Sequence, residues 1–169
     1  HPEYFWLSGS YSYYSGDILG GDRVTRFLPE YAVDTALIDG YKTTLEDYAS
    51  MVVSNAFRYS NAYDKIVYIH DLIVGQTTYN DDGDLKNSTA YGVLIGRKGI
   101  CSGYAKAFQY LVNALGFDCY YVTGEVAGGE QHAWNIVSIE GENFFVDATF
   151  NDPLYTGANN LGADVFYNY

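Results

Sequence analysis

The chain has 169 residues, enough for one domain with a sizeable core, and its content of 48% hydrophobic and 18% charged residues excludes a disordered protein. The formal net charge of −12 argues against nucleic acid and anionic membrane surfaces as partners. No apolar run reaches the roughly 18 residues that a bilayer span needs, so we expect no membrane insertion.

We predict a single domain, residues 1–169, with three parts. These are a Tyr-rich N-terminal extension (1–42), a core (43–153) and a C-terminal segment (154–169) that could be truncated. The chain opens with neither methionine nor a basic-then-apolar leader, so we expect a mature form or a domain excised from a longer multidomain chain.

The first forty residues are rich in Tyr, Ser and Gly, which predicts short strands or an extended flap over the core. Such a flap could shield a reactive site or line a substrate groove, although core packing is the default interpretation of its aromatic residues. The candidates for this lining are Tyr4, Phe5, Trp6, Tyr11, Tyr13 and Tyr14.

Three helices are predicted next in the chain. The first covers residues 43–57 with a threonine cap, and the second covers 61–74 and is ended by Gly75. The third begins at Cys101 or Ser102, carries an amphipathic apolar stripe and ends at Gly116.

After Gly116 the apolar period changes to two, which predicts strands at 117–125, 132–139 and 143–148. Helices followed by antiparallel strands indicate the α+β class. The polar loop at 80–84 resembles the opening of a calcium-binding loop but lacks the closing glutamate, so a solvated turn is favoured. We expect no metal or cofactor. The Asn87-Ser88-Thr89 sequon is a weak pattern.

A pairing between His132 and Asp147 follows from the turn between the last two strands. Glu140-Gly141 suits a two-residue type I′ turn, which places Asp147 diagonal to His132 on the same sheet face. A three-residue loop would separate them to opposite faces. For His1 and His70 we predict a structural or surface role.

Cys101 has four possible roles: a buried apolar residue, half of a disulfide with Cys119, a metal ligand or a nucleophile. Zinc is set aside because the chain has no Cys-x-x-Cys and no histidine pair. As a nucleophile at a helix start, Cys101 should have a lowered thiol pKa, and Gly99 and Gly103 should leave room for a substrate backbone. With His132 and Asp147 it would form a Cys-His-Asp arrangement for acyl transfer.

The segments Gly99-Ile-Cys-Ser-Gly-Tyr-Ala105, His132-Ala-Trp-Asn135 and Val146-Asp-Ala-Thr149, followed by Asp152-Pro153, resemble the transglutaminase-like superfamily. The resemblance covers about residues 45–153, and the gaps of 31 and 15 residues between cysteine, histidine and aspartate fit its compact bacterial members. It implies a papain-like fold in which a nucleophile helix packs on an antiparallel sheet. It also implies catalytic roles for Cys101, His132 and Asp147.

The superfamily includes crosslinking transglutaminases, peptidases, amidases and non-catalytic domains. We therefore expect thiol-dependent acyl transfer on protein glutamine or peptide amides. The alternative is a non-catalytic binding or scaffold module of a bacterial cell-surface protein. Tyr79 or Tyr91 could supply the second oxyanion-hole donor, and Trp134 is a candidate for substrate binding. Compact bacterial members are often exported, so the resemblance implies an extracellular or cell-surface location.

Overall fold

The computed structural model describes residues 1–126 and 128–152, which form the predicted α+β fold. The predicted segment 154–169 lies outside the described residues. Two 3-10 helices, Thr35–Leu37 and Leu85–Ser88, accompany the main elements. In chain order those elements are β1 (Leu7–Asp17), β2 (Asp22–Tyr31), α1 (Ile38–Ala56), α2 (Ala62–Gln76), β3 (Thr78–Tyr79), α3 (Ala90–Leu94), β4 (Lys98–Gly99), α4 (Cys101–Ala114), β5 (Cys119–Glu125), β6 (Gln131–Ile139) and β7 (Glu142–Val146).

Helix α4 lies at the centre of the core. It contacts α1, α2 and α3 on the helical side and β5 and β6 on the sheet side. Its apolar stripe of Tyr104, Phe108, Leu111 and Val112 is fully buried, and burying a large apolar side chain contributes about 1.5–3 kcal/mol. The helix that begins with Cys101 is therefore held on both sides. None of the helices in the described ranges is long and apolar enough to cross a bilayer.

The three-stranded sheet β5-β6-β7 is antiparallel and has the predicted register. Glu140 and Gly141 have φ values of 54° and 87°, as a two-residue type I′ turn requires, and Ile139 pairs with Glu142. Pairing continues to Asn135 and Val146, and extending this register by one position would place Asp147, just after β7, opposite Trp134.

The first helix begins five residues before its predicted start, and the second ends two residues after its predicted end. Helix α1 begins at Ile38, and the Thr43 hydroxyl donates back to the carbonyl of Asp39 instead of capping the helix. Helix α2 is capped by Asn61, whose side chain accepts the Asp64 N–H, but it continues through Gly75 to Gln76. Glycine lowers helix propensity without ending a helix whose apolar face is buried.

The N-terminal segment covers the core only at its start. Phe5 is buried and Trp6 packs against the core, whereas β1 and β2 form a two-stranded hairpin whose side chains are mostly exposed. Tyr11, Tyr13 and Tyr14 are 62%, 59% and 57% exposed, so the structure does not place them in the core or over it. Strand β1 meets the rest of the chain at the 3-10 helix Leu85–Ser88.

Gly99 and Gly103 are packing positions, which corrects the expectation that they leave room for substrate. A Cβ atom on Gly103 would lie 2.2 Å from the carbonyl oxygen of Asn87, and one on Gly99 would lie 2.4 Å from Cγ2 of Val93. Both glycines are buried. They let the start of α4 pack directly against the preceding segment.

We expect Gly103→Ala to lower the free energy of unfolding by about 1–3 kcal/mol, because the Asn87 carbonyl must move to admit a methyl group. Gly75→Ala in α2 is the matched control, since its Cβ would meet no atom within 4 Å and alanine favours a helix. This control should gain about 0.5–1 kcal/mol. Urea unfolding measures both, and equal effects at the two positions would contradict the packing role of Gly103.

Candidate active site

His132 and Asp147 form a short hydrogen bond across the end of the β6-β7 hairpin. Nε2 of His132 lies 2.8 Å from Oδ2 of Asp147, and the side chain of His132 is only 2% exposed. A carboxylate only accepts hydrogen bonds, so Nε2 carries the proton and Nδ1 is left with the lone pair. The structure thus brings together the two residues that the turn predicted, and it fixes which ring nitrogen can act as a base.

The carboxylate of Asp147 is itself held by the backbone. Its Oδ1 accepts the N–H groups of Thr149 and Phe150, each at 3.1 Å. The Phe150 ring stacks on the imidazole of His132, with centroids 4.3 Å apart and planes 12° from parallel. Sequence reasoning missed Phe150, although the Asp-Ala-Thr-Phe run is typical of an aspartate turn that folds back on the strand.

Cys101 is the first residue of α4, and its thiol lies beside the start of β6. The backbone N–H groups of Ala133 and Ser102 lie close enough to the sulfur to lower its pKa. Because Ala133 directly follows His132, the thiol lies beside the strand that carries His132. Cys101 and Cys119 are both free thiols, which excludes the disulfide alternative in this structure. Burial raises the pKa of Cys119 to about 12.

The pKa of Cys101 is raised, contrary to the expectation of a lowered value. Burial is the main cause, and the charges of Asp147 and Glu130 raise the pKa further, while the N–H groups of Ala133 and Ser102 oppose them. A raised thiol pKa disfavours the thiolate form of Cys101 before substrate binds.

We expect the rate at which iodoacetamide alkylates Cys101 to keep rising with pH beyond about 8.5, the ordinary pKa of a cysteine thiol. A raised pKa means that the thiolate fraction at neutral pH is below that of free cysteine. Stopped-flow alkylation of the Cys119→Ala variant isolates Cys101. A rate that is already constant below pH 7 would indicate a resting thiolate–imidazolium pair and contradict this prediction.

The other predicted site residues have different positions. Trp134 lies on the same strand as His132, with ring centroids 6.2 Å apart, so it borders the candidate site. Tyr79 pairs with Gly99 across the parallel strands β3 and β4, two residues before Cys101, and stays a candidate oxyanion donor. The ring contacts of Tyr91 are with Phe5 and Tyr41, which give it a packing role between α1, α3 and the N-terminal segment.

Tyr121 is a neighbour of Cys101 that sequence reasoning missed. Burial raises the pKa of the Tyr121 hydroxyl, and its proximity to Cys101 raises it further. The ammonium group of Lys106 lies 5.9 Å from the centre of the same ring. The chain has 19 tyrosines, and Tyr121 lies in a strand with the usual alternation of apolar and polar residues. No local pattern therefore distinguishes it from the other tyrosines.

A cavity of about 320 Å³ opens beside the imidazole. Its walls combine apolar side chains with the His132–Asp147 pair, as a substrate pocket requires. The lining residues are Val126, His132, Trp134, Phe145, Val146, Asp147 and Asn151.

The sequon residue Asn87 is buried, and its side-chain nitrogen donates to the Asn80 carbonyl and to Asp82. These bonds give Asn87 a structural role in the preceding loop.

Comparison with known proteins agrees with this arrangement. The sequence profile of the transglutaminase-like superfamily matches residues 45–148, which is more than half of the chain and includes Cys101, His132 and Asp147. The chain belongs to the transglutaminase-like superfamily. No curated protein sequence matches it significantly.

Solved structures of the superfamily fold resemble this chain at low sequence identity. A TGase structure has a TM-score of 0.56 at 18% identity, over 82% of this chain and 44% of its own. A candidate cysteine protease from Cytophaga hutchinsonii has a TM-score of 0.56 at 22% identity, over 69% and 43% of the two chains. A candidate protease from Parabacteroides distasonis ATCC 8503 has a TM-score of 0.50 at 12% identity, over 83% and 36%. The present chain thus spans less than half the length of each, and the likeness shows the fold.

Proposed function

We propose that this transglutaminase-like domain is a thiol-dependent acyl-transfer enzyme that acts on protein glutamine or peptide amides through a thioester. The observation that carries the proposal is the 2.8 Å bond from His132 Nε2 to Asp147, which leaves Nδ1 as a base on the strand that Cys101 contacts. A nucleophile, a base and a group that orients the base are the minimum for this chemistry.

The proposed reaction begins when Nδ1 of His132 takes the thiol proton and the sulfur of Cys101 attacks the amide carbonyl carbon. The carbonyl electron pair moves to the oxygen, and the tetrahedral intermediate collapses by breaking the C–N bond. The imidazolium returns its proton to the leaving nitrogen, which departs as ammonia or as a peptide amine, and a thioester remains. Water or a second amine then attacks the thioester with His132 as base, and the thiol is released.

The start of α4 supports the charged intermediate. The first backbone N–H groups of a helix have no carbonyl partner within the helix, so the N–H of Cys101 is available to the developing oxyanion. Tyr79 is the favoured second donor because β3 holds it beside Gly99. Hydrogen bonds of this kind contribute about 10²–10³-fold to kcat. Tyr79→Phe should therefore lower kcat and leave KM nearly unchanged.

The acceptor that resolves the thioester defines the activity, and one experiment separates the cases. The chain is incubated with a glutamine-containing protein and an excess of a primary amine, and the products are analysed by mass spectrometry. Amine adducts on glutamine indicate transamidation, glutamate at former glutamine positions indicates deamidation, and new chain ends indicate peptidase activity. Each product supports thiol-dependent acyl transfer if the Cys101→Ala variant does not form it. Absence of all three would overturn the proposal in favour of a non-catalytic binding module.

A further inference from the structure

The segment that orients His132 is attached to the helical side of the molecule at two further points. We call residues 147–152 the Asp147 loop. After Asp147 and Phe150, which contact His132, the side-chain nitrogen of Asn151 lies 3.0 Å from Nε2 of His70 in α2. The next residue, Asp152, accepts a hydrogen bond from the Tyr104 hydroxyl of α4 at 2.5 Å. The loop therefore connects the catalytic strand to two helices.

The hydrogen bonds of His70 define its protonation. Nδ1 lies 2.9 Å from a carboxylate oxygen of Asp71, which can only accept, so Nδ1 carries the proton. Nε2 then holds a lone pair that accepts from Nδ2 of Asn151. Burial lowers the pKa of His70, which is 1% exposed, so the neutral ring persists at neutral pH; Asp71 and Asp147 oppose this effect.

Apart from its polar contacts with Asp71 and Asn151, His70 lies among apolar side chains. Ile66, Ile69 and Ile73 share the buried face of α2 with it. An apolar side chain of similar volume would fit that face without the desolvation cost of an imidazole. The polar contacts of His70 instead reach Asn151, and Asn151 in turn donates its N–H to the Asp147 carbonyl.

We propose that His70 is a positioning residue for the acyl-transfer site, which holds Asn151 and thereby keeps Asp147 and Phe150 against the imidazole of His132. The inference rests on the proposed function, because it assigns His70 a part in maintaining that reactive arrangement. His70 touches neither the thiol nor the bond that reacts. Its action passes through Asn151 and the Asp147 loop to the orientation of His132.

The test replaces His70 by leucine and by glutamine in the whole chain. Leucine fills the space without an acceptor, whereas glutamine presents a side-chain oxygen near the position of Nε2. We expect His70→Leu to lower kcat by tenfold or more with little change in KM. The rate of His132-dependent alkylation of Cys101 should fall by a similar factor. His70→Gln should recover most of that loss. Ile73→Val on the same buried face is the control, with a lowered Tm and unchanged kcat.

Asn151→Leu provides a second route if His70→Leu fails to fold. It should reproduce the loss of kcat, and the double variant should be no slower than the slower single variant, because the two residues act through one bond. If His70→Leu and Asn151→Leu behave like Ile73→Val, the positioning role is overturned. If glutamine fails to restore the rate, the acceptor argument is overturned.

The failure of this inference is distinguishable from failure of the proposed function. His132→Ala should slow alkylation of Cys101 and change its pH dependence. If it does so while His70→Leu leaves the pH profile unchanged, only the positioning role is wrong. If His132→Ala itself has no effect on alkylation, the thiol–imidazole pair and the proposed function are both wrong.

Discussion

Cys101→Ala should abolish amide turnover, with kcat lowered by at least about 10³-fold, because the acyl group then has no sulfur to receive it. The side chain sits at the first position of α4, half-buried, so the substitution should leave the free energy of unfolding nearly unchanged. Product formation measured by mass spectrometry and urea unfolding measured by circular dichroism check the two statements.

Cys119→Ala is the matched control for that experiment. Cys119 is buried, and its raised pKa of about 12 makes it a poor nucleophile at neutral pH, so this variant should keep full turnover. Turnover that survives in Cys101→Ala and is lost in Cys119→Ala would reverse the assignment. Equal loss of turnover in both variants would indicate that the substitutions disturb the fold, and it would not support a specific role for the Cys101 thiol.

Asp147→Asn should lower kcat by about 10²–10⁴-fold while the protein stays folded. The N–H groups of Thr149 and Phe150 require an acceptor, so the asparagine oxygen will take the place of Oδ1. The amide nitrogen then faces Nε2 of His132 as a donor. The imidazole responds by carrying its proton on Nδ1, which removes the lone pair that should accept the thiol proton.

Asp39→Asn in α1 removes the same charge from an exposed position and serves as the control. It should leave kcat and the pH profile unchanged. The measurement is kcat against pH for both variants, together with the nitrogen chemical shifts of the His132 ring, which report its tautomer. An Asp147→Asn variant with wild-type kcat would remove Asp147 from the catalytic machinery.

Much of the candidate site could be predicted because it depends on short-range rules. The acidic-Gly turn at Glu140-Gly141 fixes the register of β6 and β7, and the register brings His132 to Asp147. The spacing of Tyr104, Phe108 and Leu111 predicts the buried face of α4, and the glycine-rich segment before them predicts that the helix begins near Cys101. Each inference uses residues that are neighbours in the chain or across one tight turn.

The features that sequence reasoning missed depend on contacts between distant segments. Tyr121 and His70 come close to the site only after β5 and α2 have packed, and nothing in their local sequence indicates it. The pKa of Cys101 was mispredicted for the same reason. The sequence predicts the helix start, which lowers the thiol pKa. The opposing effects, burial and the charges of Asp147 and Glu130, arise from tertiary structure and raise the pKa overall.

The central position of α4 gives the two halves of the site different local stability. The amides of α4 are enclosed by three helices and a sheet, so their hydrogen exchange should require unfolding of the whole domain. The Asp147 loop follows the edge strand β7 and is not enclosed by helices as α4 is, so we expect it to open at a lower free-energy cost than α4. A local fluctuation would therefore release the histidine from its carboxylate while the thiol stays in place, and mild denaturant should inactivate the protein before it unfolds.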